Sequence, residues 1–415
     1  MLIGCIADDL TGATDVALML QTAGLRTLQA VDVPDEEAEP GDAGAVVVAL
    51  KTRTVAAADA VAQSLAAHAW LRARGARQVL FKYCSTFDST DAGNIGPVAD
   101  ALLDACAVDF TVACPAFPTN RRTVYMGHLF VGDQLLAESP MKNHPLTPMR
   151  DANLVRVLGR QTRRRVGLVP LPTVRDGAAA IRAAFAELRR SGHGYAIVDA
   201  VADADLLALG AACHDMPLVT GGSGIAMGLA PAVGAIESPP SVPPRLEGLA
   251  AVISGSCSAQ TNAQVAHWTA RKPAFRVDPL RLAAGEDVAK QALEWADPLL
   301  ASGPVLIYAT ASPEEVRAAQ ARLGAAAAGD LVERALARVA QGLVARGVRK
   351  LVVAGGETAG AVVKALGVRL LAIGPQIDPG VPWTFSADEP RLALALKSGN
   401  FGATDFFSRA LDLLT

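Results

Sequence analysis

Apolar residues in the first half of the chain fall into short, nearly unbroken runs, separated by longer stretches in which apolar positions recur every three or four residues. The runs at 2–7, 27–31, 45–49, 78–83, 110–114, 166–169, 195–199 and 216–219 predict strands, most of them covered on both faces. Helical spacing marks 55–74, 97–107, 175–190 and 203–213, and also the segment carrying Val16, Ala17, Met19, Leu20 and Ala23. Strand and helix alternate, which predicts a largely parallel sheet. Residues 122–139 (RTVYMGHLFVGDQLLAES) break the rhythm with loose alternation around Gly127 and Gly132, and read as a hairpin.

The pattern stops at AIESPPSVPPRLEG (235–248), whose four prolines exclude a strand or helix interior. A new alternation follows, with strands at 249–253, 274–277, 304–309, 350–354 and 369–373 and helices at 259–270, 313–323, 329–345 and 357–366. The expected fold class is therefore α/β, built as two α/β domains with largely parallel sheets. Their bounds are 1–234 and 247–415, joined by a proline-rich linker at 235–246.

Composition narrows the function. The chain has 415 residues, 51% hydrophobic, enough to bury two cores. Its 38 basic and 41 acidic residues leave a net charge of -3, so neither a nucleic-acid surface nor a membrane-binding face is expected. Six scattered cysteines form no CxxC pair, which argues against zinc and a disulfide framework. No apolar run approaches a membrane span, and the chain enters its first strand without a basic or cleavage-like segment. A cytoplasmic setting is expected.

Polar chemistry gathers where strands end. The first strand runs into DDLTGATD (8–15), where Thr11 or Thr14 is placed to cap the next helix and Gly12 allows close approach of another group. Asp8 and Asp9 are either cap and first-turn acids or partners for hydroxyl groups, one of them a proton acceptor. Phosphate is excluded there by charge. In FKYCSTFDSTDAGNIG (81–96), Lys82, Ser85 and Asp88 suit a small oxygen-rich anion, while Asn94 and Gly96 introduce a helix. In KTRT (51–54), Arg53 has the fork geometry of a carboxylate clamp. Asn120, Arg121 and Arg122 fit a pocket rim.

The second half supplies neutral, glycine-bearing turns. SGSCSAQT (254–261) offers Ser254, Ser256 and Ser258; AGGETAG (354–360) offers Gly355, Gly356, Glu357 and Thr358; KSGNFGATDFF (397–407) offers Gly399, Asn400, Phe401 and Gly402. Small residues at a strand-to-helix turn let backbone amides reach a phosphate. No GxxxxGK[ST] occurs, and no GxGxxG follows the first strand. Acids, hydroxyls and cations in one domain, with phosphate turns in the other, point to phosphoryl transfer in an interdomain active-site cleft.

The stretches ADDLTGATD, FKYCSTFDST, GNIGP, GHLFVGDQLLAESPMKNHPLTPM, AGGETAG and SGNFG together resemble the four-carbon acid sugar kinase family, over nearly the whole chain and in matching order. The resemblance implies a sugar-acid-binding N-terminal domain and an ATP-binding C-terminal domain. It implies phosphorylation of the 4-hydroxyl of 3-oxo-tetronate, with D-threonate or D-erythronate as alternative acceptors. By position it puts Asp8, Asp9, Arg53, Lys82, Ser85 and Asp88 around the acid, and Ser254, Ser256, Ser258, Gly355 to Thr358 and Gly399 to Gly402 around ATP. Mg²⁺ would neutralise the polyphosphate, held by ATP and water. The expected partner is a small four-carbon sugar acid, and homo-oligomerisation stays open. A non-catalytic sensor of sugar acid and nucleotide is the reading of another class.

Overall fold

The computed structural model describes residues 1–144, 146–234 and 246–414. The chain divides into two compact units, Met1–Pro239 and Pro240–Thr415. The linker expected at 235–246 lies outside the described residues as far as 245.

Strands of the first unit are β1 (Ile3–Ala7), β2 (Thr27–Val31), β3 (Ala45–Ala49), β4 (Gln78–Lys82), β5 (Thr111–Cys114), β6 (Arg122–Tyr125), β7 (His128–Val131), β8 (Gln134–Leu135), β9 (Arg165–Val169), β10 (His193–Val198) and β11 (Leu218–Gly221). All pairs in the order β2-β3-β1-β4-β11-β5-β10-β9 are parallel. The unbroken runs IGCIA, AVVVA and QVLFK are buried at every position, as strands covered by helices on both faces must be. Strands β6, β7 and β8 form a separate antiparallel sheet where the hairpin was expected.

From β1 the chain turns to β2 and β3 on one side, then crosses to β4 on the other, so the order reverses at β1. Open α/β sheets bind ligands outside the carboxyl ends of strands at such a point. The register pairs Ala7 with both Ala49 and Lys82, and Lys82 with Gly221. The segments that follow these strands therefore leave the sheet at one edge. The helix Leu10–Thr22 packs on the turn Ser223–Ile225, and Ala57–Ala73 packs on Ile95–Ala105.

The second unit holds β12 (Leu249–Ser254), β13 (Ala274–Arg276), β14 (Val305–Tyr308), β15 (Val348–Ala354), β16 (Leu370–Asp378), β17 (Val381–Ser386) and β18 (Ala393–Lys397). The order β13-β14-β12-β15-β18 is parallel, whereas β18-β17-β16 is antiparallel. The strand expected at 369–373 runs on to Asp378 and turns back as β17, so this half is mixed rather than a plain βα alternation. Trp268, Trp383, Phe385, Phe406 and Phe407 form its core.

Candidate functional site

In the first unit, one arginine gathers three carboxylates. Arg53 donates from Nε to Asp8 Oδ2 (2.9 Å) and from Nη2 to Asp8 Oδ1 (2.8 Å), a bidentate pair. The same Nη2 reaches Asp9 Oδ1 at 2.8 Å, and Nη1 stands 3.8 Å from Asp88 Oδ2. Asn94 fixes the loop that carries Arg53, donating to the carbonyls of Thr52 (2.7 Å) and Val55 (2.9 Å). Asn94 introduces the helix Ile95–Ala105 as expected, at its N-cap position, with its side chain spent on these carbonyls rather than on the helix amides. Asp88 is set by Phe87, which is fully buried at φ 51°, edge-on to Tyr83 with ring centroids 5.3 Å apart. Thr86 donates to Asp88 Oδ1 at 2.6 Å.

Asp9 explains DDLTGATD. It is the N-cap of the helix Leu10–Thr22, accepting from Gly12 N at 3.2 Å, while Thr11 Oγ1 donates to its Oδ2 at 2.9 Å. Neither threonine caps the helix as expected: Thr11 serves Asp9, and Thr14 donates back to Leu10 O. Aspartate is as good a cap as threonine, and here it also answers two cations. Lys82 Nζ lies 3.6 Å from Asp9 Oδ1. A Cβ on Gly12 would fall 1.8 Å from that ammonium, so the glycine is the notch in which Lys82 ends. Burial works to raise the Asp9 pKa, but Arg53, Lys82, Thr11 and Gly12 together hold it at about 2. Burial would lower Lys82, but Asp9 and Asp8 keep its pKa above the usual value.

Asp8, Asp9, Arg53, Lys82 and Asp88 thus meet. Arg53 is not an open clamp as its sequence position suggested, since Nε and Nη2 are taken by Asp8 and Asp9. Ser85 is half-buried on the same loop and makes no side-chain hydrogen bond among the described residues.

In the second unit, β12, β15 and β18 are adjacent parallel strands, so the three glycine turns emerge side by side. Gly355 N donates to Lys397 O at 2.9 Å, joining two of them. Ser258 caps the helix Ala259–Thr269 and donates to Gly399 O at 2.6 Å; Thr261 Oγ1 reaches the same carbonyl at 2.8 Å. Gln264 donates to the carbonyls of Phe401 (3.1 Å), Gly402 (3.0 Å) and Ala403 (3.0 Å). The turns pack closely enough to need glycine: a Cβ on Gly399 would lie 2.4 Å from Ser256 Oγ, and Gly355 adopts φ 122°. Gly356, Glu357 and Thr358 open the helix Gly356–Ala365, which has no side-chain cap. Its first amides are the kind that hold a phosphate, so the residues present fit a nucleotide's polyphosphate. Ser254 turns away, fully buried with Oγ 2.7 Å from Thr310 Oγ1. Asn400 is exposed, and Phe401 packs on the core's edge.

Sequence reasoning missed Lys397. Its side chain is fully buried, with Nζ donating to Thr261 Oγ1 (2.9 Å) and Gly399 O (3.0 Å). Burial alone pushes its pKa down to about 7. A signal was present, because Lys397 ends ALALK as Lys82 ends QVLFK, each a charged terminus on an apolar strand.

Among the described residues no group of three His, Cys, Asp or Glu could hold a metal, and no helix is long and apolar enough to cross a membrane. A family model described as a sugar-binding N-terminal domain matches residues 3–229, and one described as a nucleotide-binding C-terminal domain matches 251–407. A 3-oxo-tetronate kinase of Burkholderia multivorans is 63% identical over 419 residues, covering 100% of this chain and 97% of the relative. One from Pseudomonas fluorescens is 59% identical with the same coverage. A solved structure from Salmonella typhimurium LT2 superposes with a TM-score of 0.88 at 46% identity, covering 98% of each chain. Likeness of this degree along the whole length settles membership: the chain belongs to the four-carbon acid sugar kinase family, alongside the 3-oxo-tetronate kinases.

Proposed function

We propose that the chain transfers the γ-phosphate of ATP to the terminal 4-hydroxyl of 3-oxo-tetronate, giving 3-oxo-tetronate 4-phosphate and ADP. The observation that carries this is 63% identity to a 3-oxo-tetronate kinase over the full length. The polar cluster of the first unit supports it. Lys82, with Arg53 Nη1, supplies positive charge for the acid's carboxylate, and Ser85 adds a hydroxyl. Asp8 and Asp9, held by Arg53, accept from hydroxyls, and Asp88 Oδ2 is the least engaged of the three acids. In the second unit, the amides of Gly355 to Thr358 and the turns at Ser256, Ser258 and Gly399 to Gly402 take the nucleotide. Mg²⁺ would neutralise the polyphosphate and would be held by it and by water. Positioning and charge stabilisation then dominate, and both ligands must meet away from bulk water.

The test is ADP release measured against a panel of four-carbon acids. The highest kcat/KM is expected with 3-oxo-tetronate. A higher value with D-threonate or D-erythronate replaces the substrate. Calorimetric binding of acid and nucleotide without turnover of any acid makes the protein a sensor instead.

A further inference from the structure

Beyond Asp8, Asp9 and Asp88, the first unit holds a buried carboxylate with no evident structural task. Asp15 lies on the helix Leu10–Thr22, three residues past Gly12, and is 7% exposed. Its Oδ1 makes no hydrogen bond. Ser223 opens the turn after β11, is 1% exposed, and its Oγ is likewise unpartnered. Arg122 begins β6, and its buried Nε has no acceptor.

The helix carrying Asp15 packs on the turn that Ser223 opens, and Lys82 and Arg122 lie within electrostatic reach of its carboxylate. Lys82, Ser223 and Arg122 each favour the charged form of Asp15, and Asp9 opposes it. The Ser223 hydroxyl is near enough to act on Asp15 without forming a well-directed bond. Buried polar atoms in folded proteins are nearly always paired. Three left open, on the helix after β1, on the turn after β11 and at the start of β6, are matched by an oxygen-rich ligand.

We propose that Asp15 is a catalytic residue that takes the proton of the substrate's attacking hydroxyl, while Ser223 Oγ and Arg122 Nε donate to a neighbouring oxygen of the same acid. The 4-hydroxyl oxygen forms a bond to the γ-phosphorus as its proton passes to Asp15 Oδ1. The bond from that phosphorus to the β,γ-bridging oxygen breaks, and ADP leaves with the electron pair. Asp8 and Asp9 are poorer acceptors because Arg53 already occupies them. Burial, the largest influence on Asp15, lifts its pKa to about 6 despite Lys82, which suits a proton acceptor working near neutral pH.

The inference rests on the kinase reading, and the experiment separates the two. Wild-type turnover of 3-oxo-tetronate with ATP tests the reaction, and its absence sinks both. Given turnover, Asp15→Asn is expected to lower kcat about a hundredfold or more at saturating substrates, with the KM for ATP unchanged. Wild-type kcat/KM for the acid should fall as pH drops through about 6, and this limb should vanish in Asp15→Asn. Ser223→Ala should raise the KM for the acid about tenfold and keep the limb. A kcat for Asp15→Asn within threefold of wild type overturns the proposal, as does a limb that survives there and disappears in Asp88→Asn. Should Asp15→Asn not fold, an unchanged acid KM in Ser223→Ala overturns it.

Discussion

Gly12 shows how one missing side chain serves two ends. A glycine inside a helix ordinarily costs about 1 kcal/mol relative to alanine. Here a Cβ would collide with Lys82 Nζ at 1.8 Å and Asp9 Oδ1 at 2.3 Å. Both are ends of side chains, so Gly12→Ala should still fold, at a lowered melting temperature, while expelling the ammonium. The KM for the sugar acid is expected to rise at least tenfold at unchanged KM for ATP; an unchanged acid KM would place Lys82 outside the site. Asp9 gives a pH signature. Its carboxyl is held at about 2 in the folded chain, below the unfolded value near 4, so its contribution to stability is complete above about pH 4 and is lost as pH falls toward 2. That contribution is on the order of 2 kcal/mol. Urea unfolding of wild type and Asp9→Asn should therefore differ most at pH 5 and converge near pH 2.

At the scale of elements, apolar runs were the readable part. IGCIA and AVVVA are buried at every position and could hardly be anything but central strands. VPWTFS was not recognised because it contains proline and polar residues, yet it is buried at every position between antiparallel neighbours. The helix Val288–Leu300 was hidden by Pro298, although Asp287 caps it through Lys290 N. Motifs gave the acids and glycines of the site but not the groups that assemble them. Asn94 and Gln264 act on carbonyls distant in sequence, with contacts that no local spacing reveals. Asp15 was visible within DDLTGATD, and its mark was a carboxylate on a helix buried from Leu10 to Leu20. The helix Ala259–Thr269 presents Gln264 to the turn that follows Ser398, which yields a test. Gln264→Ala unties three carbonyls and should raise the KM for ATP several-fold without altering that for the acid. Equal changes in both would mean a general loss of folding instead.

At the scale of the molecule, the chain divides into two compact units, each with its own buried apolar residues. Calorimetric melting is then expected to depart from a single two-state transition. A ligand stabilises only the part that binds it, by about 2.7 kcal/mol at a hundredfold excess over Kd. ADP should shift one transition and the sugar acid the other; a nucleotide that moves only the transition moved by the acid would contradict the division of labour. Lys397 adds a thermodynamic coupling to this picture. Buried with neutral partners and a pKa of about 7, it is only partly protonated near neutral pH. A polyphosphate arriving beside it would favour the ammonium, so nucleotide binding should draw a proton from solvent, and affinity should weaken as pH rises above 7. The binding enthalpy measured in buffers of different ionisation enthalpy should then vary with the buffer, and Lys397→Met should abolish that variation. A kinase built this way would read the acidity of its surroundings through how tightly it holds its phosphate donor.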